Sequence, residues 1–122
     1  MNLTTLNAIS PIDGRYLKKT QALAPYFSEF ALIYFRLLVE IRWLESLAAN
    51  PALKDIPDFT LEQKAYLNRI VTSFNEHAAE EIKNFERQTN HDVKAIEYYL
   101  RDKLLGHEQL KHYVSYIHFA CT

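Results

Sequence analysis

Chain breakers are rare in this sequence, and their positions constrain the fold more than any other feature. Only two glycines and four prolines occur in 122 residues. They fall between long apolar segments, at Pro11, Gly14, Pro25, Pro51, Pro57 and Gly106. Long periodic segments joined by short loops are typical of helical proteins, and β alternation is weak and confined to residues 2–9. The sequence therefore predicts an all-α fold.

The apolar spacing predicts about five helices in one domain, 1–122, with an irregular segment over residues 1–25 and helical structure over 26–122. We expect them from Tyr26 or Ser28 to Ala49, from Thr60, over Asn75–Arg87, from near Thr89 to Leu105, and over Glu108–Phe119. Thr60 and Gln63 match a capping box. The third helix either continues the second or stands alone, and Gly106 is expected to cap the fourth.

The first predicted helix is apolar on nearly every face, which is typical of a helix buried by several neighbours. Within its narrow polar stripe, Arg36 and Glu40 lie four residues apart and are able to pair. Its longest wholly apolar run, Phe30 to Phe35, is far too short to span a membrane. We expect this helix to leave exposed apolar patches, and hence self-association, if a partner domain is missing.

Composition excludes several classes of function. A net charge of −1, with 48% hydrophobic and 24% charged residues, is ordinary for a globular protein and offers no basic surface for nucleic acid or an anionic membrane. The single cysteine, Cys121, forms no intrachain disulfide, which indicates a reducing, cytoplasmic setting. The N-terminal "MNLTTLNAIS" has neither the basic nor the apolar region of a signal peptide.

One candidate anion site follows the turn signal Asp13-Gly14. Arg15 presents a planar fork that suits phosphate or carboxylate, and the Tyr16 hydroxyl adds a donor beside it. Gly14 permits a sharp turn or a close approach of the backbone to a ligand. The alternative is a solvated arginine with Tyr16 packed on the first helix.

A second candidate site lies at the start of the fourth helix. Thr89 and Asp92 match a capping pattern, which would place Asn90, His91 and Asp92 in the first turn, among free N–H groups and the positive end of the helix dipole. Such a terminus suits an anion. The alternative is that Asp92 merely complements the dipole and that His91 is an ordinary surface residue.

Metal binding and cysteine chemistry are not predicted. The histidines are His77, His91, His107, His112 and His118, and no two of them lie four residues apart. A single cysteine makes a structural zinc site improbable. No base is placed near Cys121, as a nucleophile would need.

Three stretches together resemble a known family. "SPIDGRY" at Ser10–Tyr16, "TNHDVKAIEYYL" at Thr89–Leu100 and "HFACT" at His118–Thr122 resemble, in order and spacing, the N-terminal part of the adenylosuccinate lyase family of the fumarase/aspartase superfamily. "EIRWLESLA" at Glu40–Ala48 fits the family's first long helix. The resemblance extends over essentially all 122 residues, and the Asn-His-Asp run is similar to that of the bacterial branch.

The resemblance implies an enzyme of purine nucleotide biosynthesis. The family cleaves adenylosuccinate to AMP and fumarate, and SAICAR to AICAR and fumarate, by β-elimination without a cofactor or metal. It is a cytoplasmic homotetramer whose active sites are shared between subunits. The family's first motif contacts the substrate phosphate, its second lines the nucleotide pocket and its third contacts the substrate, which implies substrate-binding roles for Arg15 and Tyr16, for Asn90, His91 and Asp92, and for Thr122.

The chain departs from the family by stopping at Thr122. The family's serine base, its general-acid histidine and its long core helices all follow this point, so we expect no catalytic residue in this chain and no lyase activity from it alone. The alternative function is a stand-alone helical interaction module without small-molecule activity. A reading frame that continues past Thr122 with a serine and a long helical stretch favours the lyase, and a stop codon there favours the module.

Overall fold

The computed structural model describes residues 2–118, and it divides the chain into two compact units, 1–32 and 33–122, where the sequence predicted a single domain. The prediction of an all-α fold is confirmed, with no strand among residues 2–118. The α-helices are α1 (Leu17–Thr20), α2 (Ala24–Phe27), α3 (Glu29–Ala49), α4 (Leu61–Thr72), α5 (Glu76–Thr89) and α6 (Asp92–Leu105), and 3-10 helices span Gln21–Leu23 and Lys111–Tyr116.

The N-terminal unit becomes helical earlier than its sequence predicts, because α1 begins at Leu17 and not near residue 26. The predicted start of the long helix is close. Ser28 is extended, and its hydroxyl accepts a hydrogen bond from the N–H of Ala31 (3.1 Å), so that α3 begins at Glu29. The weak β pattern over 2–9 is wrong, since residues 5–10 form turns and bends.

Helix α3 is buried on one face rather than all round. In the second unit, Leu37 and Ile41 are inaccessible to solvent, whereas Val39 and Trp43 on the same helix are 44% and 47% exposed. The stretch Leu17–Ala49 is long and apolar enough, by length and composition alone, to cross a membrane. The core helix of a soluble protein and a signal sequence pass the same test, so this property is weak evidence of a membrane span.

The second and third predicted helices are separate. The capping box of α4 is confirmed: the Thr60 hydroxyl accepts from the Gln63 N–H (3.2 Å), and Gln63 Oε1 accepts from the Thr60 N–H (2.8 Å). Helix α4 ends at Thr72, and the Asn75 side chain then caps α5 by accepting a hydrogen bond from the N–H of Ala78 (2.9 Å). Two side-chain caps therefore determine where α4 and α5 begin.

Helix α6 is the central element of the second unit and packs against α5 and the last 3-10 helix. Its buried residues are Val93, Ala95, Ile96, Glu97, Tyr99, Leu100 and Leu104. The helix predicted over 108–119 is wrong in type and extent, because over its described part, 108–118, the helical structure is the 3-10 helix Lys111–Tyr116. That segment is held by a tertiary bond, since the Tyr113 hydroxyl donates to the carbonyl of Pro57 (2.5 Å).

A buried carboxylate on α6 connects this helix to the chain beyond the 3-10 helix. Glu97 is 1% exposed, and its Oε1 lies 2.7 Å from Arg101 Nη2. Arg101 also donates to the carbonyl of Ile117 (3.0 Å), and His118 Nδ1 lies 4.0 Å from the same Glu97 oxygen. The ion pair of Glu97 and Arg101 therefore fixes the backbone at Ile117, near the end of the described residues.

Candidate functional site

The turn that carries Arg15 and Tyr16 is closed by local hydrogen bonds. The carboxylate of Asp13 accepts from the N–H of Ser10 (2.8 Å), and the N–H of Tyr16 donates to the carbonyl of Pro11 (2.8 Å). The Ser10 N–H, hydrogen-bonded to this carboxylate, holds the pKa of Asp13 below its usual value. The Asp13 carboxylate thus closes the turn that precedes Arg15.

Gly14 serves this turn through its lack of a side chain and not through an unusual backbone angle, since its φ is not positive. A Cβ at this position would lie 3.0 Å from the carbonyl oxygen of Thr5, 3.1 Å from the Cβ of Ala8 and 3.2 Å from the carbonyl oxygen of Ser10. Of the two roles predicted for Gly14, a sharp turn or a close approach to a ligand, these contacts favour the turn, because the space beside the glycine is taken up by the unit itself. Packing against this glycine fixes where the next residue, Arg15, leaves the turn.

Arg15 and Tyr16 are both exposed and lie against each other. The Arg15 guanidinium carbon lies 4.6 Å from the centre of the Tyr16 ring, a cation–π distance. Arg15 also lines an open hollow of about 530 Å³, together with residues that include Thr5 and Ser10. The guanidinium is thus oriented by the ring yet accessible to a ligand within the N-terminal unit.

Asn90 forms the corner between α5 and α6 in the second unit. It is the one non-glycine residue in the described chain with a positive φ (55°), and its N–H donates to the carbonyl of Glu86 (2.7 Å). Asparagine tolerates this left-handed conformation better than most residues do. Asn90 therefore ends α5, and its predicted place in the first turn of the next helix is wrong.

His91, and not Thr89, is the N-cap of α6. Its Nδ1 accepts a hydrogen bond from the N–H of Lys94 (3.1 Å), whereas Thr89 is the last residue of α5. The predicted capping box from Thr89 to Asp92 is therefore wrong, because the left-handed turn at Asn90 delays the start of the helix. Since Nδ1 is an acceptor, the neutral ring carries its proton on Nε2 and presents a donor there.

Asp92 is the first residue of α6, and its carboxylate has two partners of different origin. Oδ1 accepts from the N–H of Val93 (2.9 Å), and Oδ2 lies 2.7 Å from Nη1 of Arg36 on α3. The hydrogen bond from Arg36 holds the pKa of Asp92 below its usual value. Sequence analysis missed this partner for Asp92, because 56 residues separate the two and no local pattern connects them.

The predicted site residues thus fall into two groups. Asn90, His91 and Asp92 form one corner of the second unit, and Arg15 and Tyr16 form an exposed pair in the first. Cys121 and Thr122 lie outside the described residues. Within residues 2–118, no group of three or more His, Cys, Asp or Glu side chains is placed to hold a metal ion.

The corner at α6 can donate hydrogen bonds to an anion. The dipole of a 14-residue helix supplies positive potential there and the His91 ring supplies a donor, whereas the N–H groups of Val93 and Lys94 are already bonded to Asp92 and His91. The Asp92 carboxylate opposes an anion, but its charge is paired with Arg36. The corner therefore combines a donor and the positive end of a helix dipole, which suit an oxyanion, with a carboxylate that can accept hydrogen bonds.

Comparison with known proteins gives consistent matches over the whole chain. The chain is 62% identical to an adenylosuccinate lyase of Legionella pneumophila (strain Corby), 50% to one of Escherichia coli (strain K12) and 48% to one of Haemophilus influenzae. Each match covers 100% of this chain and 27% of the relative. No family model matches the chain.

All 122 residues of the chain are thus similar to proteins named adenylosuccinate lyase. The chain spans about a quarter of the length of the curated relatives it matches, with a coverage of 27%. The predicted resemblance is confirmed.

Proposed function

We propose that this chain is the N-terminal, substrate-binding part of an adenylosuccinate lyase. The whole protein would cleave adenylosuccinate to AMP and fumarate, and SAICAR to AICAR and fumarate, by β-elimination of a C–N bond in purine biosynthesis. The observation that carries the proposal is the similarity of all 122 residues, at 48–62% identity, to proteins named adenylosuccinate lyase.

The substrate chemistry matches the two groups of residues. Adenylosuccinate carries a phosphate and two carboxylates, so its recognition requires fixed donors and cations rather than a metal. Arg15, stacked on Tyr16 and accessible, is assigned to the phosphate. His91 is assigned a hydrogen bond from Nε2 to a substrate oxygen, and Asn90 and Asp92 line the nucleotide pocket beside it.

His91 is assigned to binding and not to proton abstraction. Its Nδ1 accepts the first-turn hydrogen bond of α6, so a proton on that nitrogen would remove the cap. Nε2 is the nitrogen assigned to the substrate, and in the neutral ring this nitrogen is a donor. The residues that break the C–N bond are assigned to the part of the protein outside this chain.

The assembly and location of the whole protein belong to the same proposal. We expect a cytoplasmic homotetramer with active sites shared between subunits, in which Thr122 also contacts the substrate. The 122-residue chain alone is expected to release no fumarate from adenylosuccinate, and release of fumarate by it would contradict the assignment of catalysis to other parts of the protein.

The test of the binding role is Arg15→Ala in the full-length protein. Loss of a charge-assisted phosphate contact costs about 1.5–3 kcal/mol of binding, which corresponds to a roughly ten- to 150-fold rise in KM for adenylosuccinate. Lys18→Ala is the matched control, because it removes an exposed cation three residues away and is expected to change KM by less than about twofold. An unchanged KM for Arg15→Ala would rule out the assigned role.

A further inference from the structure

We infer that Arg36 of α3 is a positioning residue for substrate binding, acting through Asp92. The inference rests on the proposed function, because it assigns a role in the site formed by Asn90, His91 and Asp92. Arg36 lies far from this run in sequence.

The contact between Arg36 and Asp92 has the geometry of a charge-assisted hydrogen bond. The Nη1–Oδ2 distance of 2.7 Å is short, as expected for a charge-assisted hydrogen bond. The Arg36 side chain is 23% exposed and that of Asp92 51% exposed, so the arginine approaches from the protein side and the carboxylate faces outwards. A mostly covered donor thus holds an accessible acceptor.

The side chains on both sides of this contact are held in place by further interactions. Arg36 belongs to a 21-residue helix and precedes Leu37, which is inaccessible to solvent. The Asp92 carboxylate is also fixed by the N–H of Val93 (2.9 Å), so both of its oxygens have partners. With His91 bonded to the N–H of Lys94 (3.1 Å), the first turn of α6 is held both from within and from α3.

Arg36 also offsets the negative charge of Asp92. A substrate with a phosphate and two carboxylates is repelled by an unpaired carboxylate beside its pocket, since like charges a few ångströms apart oppose each other. The Arg36 guanidinium offsets the charge of Asp92 while leaving the carboxylate able to accept a hydrogen bond from the substrate. Removal of Arg36 both loosens Asp92 and restores the repulsion.

The experiment is a double-mutant cycle on KM for adenylosuccinate in the full-length protein. Arg36→Gln is expected to raise KM about tenfold, because small misplacement of a binding group is costly, with kcat changed by less than about threefold. In the Asp92→Asn background, Arg36→Gln is expected to change KM by less than about twofold, because its target is no longer charged. An equal effect in both backgrounds would overturn the inference.

Arg42→Gln is the matched control, because Arg42 lies on the same helix and pairs locally with Glu45 (3.1 Å). It is expected to leave KM unchanged within about twofold, and a rise equal to that of Arg36→Gln would overturn the inference. If Arg36→Gln does not fold, Arg36→Lys decides the question: the cation is kept but the fork is lost. We expect an unchanged melting temperature and a KM rise of about threefold, and an unchanged KM would be contrary.

The wild-type protein and the Arg15→Ala variant distinguish a failure of the inference about Arg36 from a failure of the proposed function. If Arg15→Ala raises KM and Arg36→Gln does not, the inference about Arg36 fails while the proposed function stands. If the full-length wild-type protein cleaves no adenylosuccinate, the proposed function itself fails, and the role inferred for Arg36 fails with it.

Discussion

The two groups of proposed binding residues are held in place in different ways. In the turn around Arg15, the Thr20 hydroxyl donates to the carbonyl of Ile12 (3.0 Å), which is only eight residues away. At the α5–α6 corner, the bond from Arg36 to Asp92 spans 56 residues. The turn is therefore a local structure, whereas the corner depends on tertiary structure.

Burial shows the same contrast. In the N-terminal unit, Leu6 and Ile9 are 96% and 98% exposed, so the turn owes little to a hydrophobic core. Below the corner, Ile96 and Leu100 of α6 are 1% and 0% exposed. Mutations in the core should therefore disturb His91 and Asp92, whereas only mutations that affect local geometry should disturb Arg15.

The largest expected effect comes from truncating the core of α6. Leu100→Ala removes a side chain that is inaccessible to solvent, and it should lower the free energy of unfolding by about 2–5 kcal/mol. Leu6→Ala makes the same chemical change at a position that is 96% exposed and should change it by less than about 0.5 kcal/mol. Urea unfolding of both variants measures the difference, and equal losses would contradict the contrast.

The next effect is expected at the two glycines. Gly14→Ala places a Cβ 3.0 Å from the carbonyl oxygen of Thr5, and it should destabilise the turn by about 1–3 kcal/mol. Gly106→Ala is the matched control, because its nearest contacts would be 3.6 and 3.7 Å. That variant should be neutral or more stable by about 0.4–1 kcal/mol.

Hydrogen exchange of the Gly14 and Tyr16 amides measures the change in the turn, because these N–H groups donate to Ser10 and Pro11. Faster exchange at both amides is expected in Gly14→Ala. Exchange at wild-type rates would show that the local packing around the glycine does not hold the turn.

The smallest effect concerns two carboxylates that are held in these different ways. The pKa of Asp92 is lowered chiefly by Arg36, and that of Asp13 chiefly by the N–H of Ser10. Each ionised form stabilises the folded state above the ordinary pKa of 3.8, and this contribution is lost as the pH falls through the lowered folded-state pKa. Below about pH 4, acid should therefore reduce the stabilisation that each of these two carboxylates contributes to the folded state.

Carboxyl NMR titration separates the two carboxylates. Arg36→Gln should raise the pKa of Asp92 towards its ordinary value and leave that of Asp13 unchanged. A shift of both, or of neither, would show that the ion pair between α3 and α6 does not control Asp92.

Features fixed by neighbouring residues could be predicted from the sequence. The capping box of Thr60 and Gln63 is a three-residue pattern, and it forms as predicted. The start of α3 was located within about a turn, since Ser28 is a favourable N-cap residue. The all-α class followed from the scarcity of chain breakers, and the family from three ordered motifs.

Features that depend on tertiary contacts could not be predicted. The left-handed Asn90 moves the cap from Thr89 to His91, and sequence spacing alone does not reveal that conformation. The last segment forms a short 3-10 helix, held through Tyr113 to a carbonyl 56 residues away. Pairing of Arg36 with Glu40 stays a prediction, whereas the bond from Arg36 to Asp92 required the structure.

The most direct test of the account is the structure of the full-length protein with adenylosuccinate bound in a catalytically inactive variant. The account predicts that the Arg15 guanidinium lies within about 3 Å of a phosphate oxygen, and that His91 Nε2 lies equally close to a substrate oxygen. It also predicts that Arg36 contacts Asp92 and not the ligand. A bound substrate that touches neither Arg15 nor His91 would contradict it.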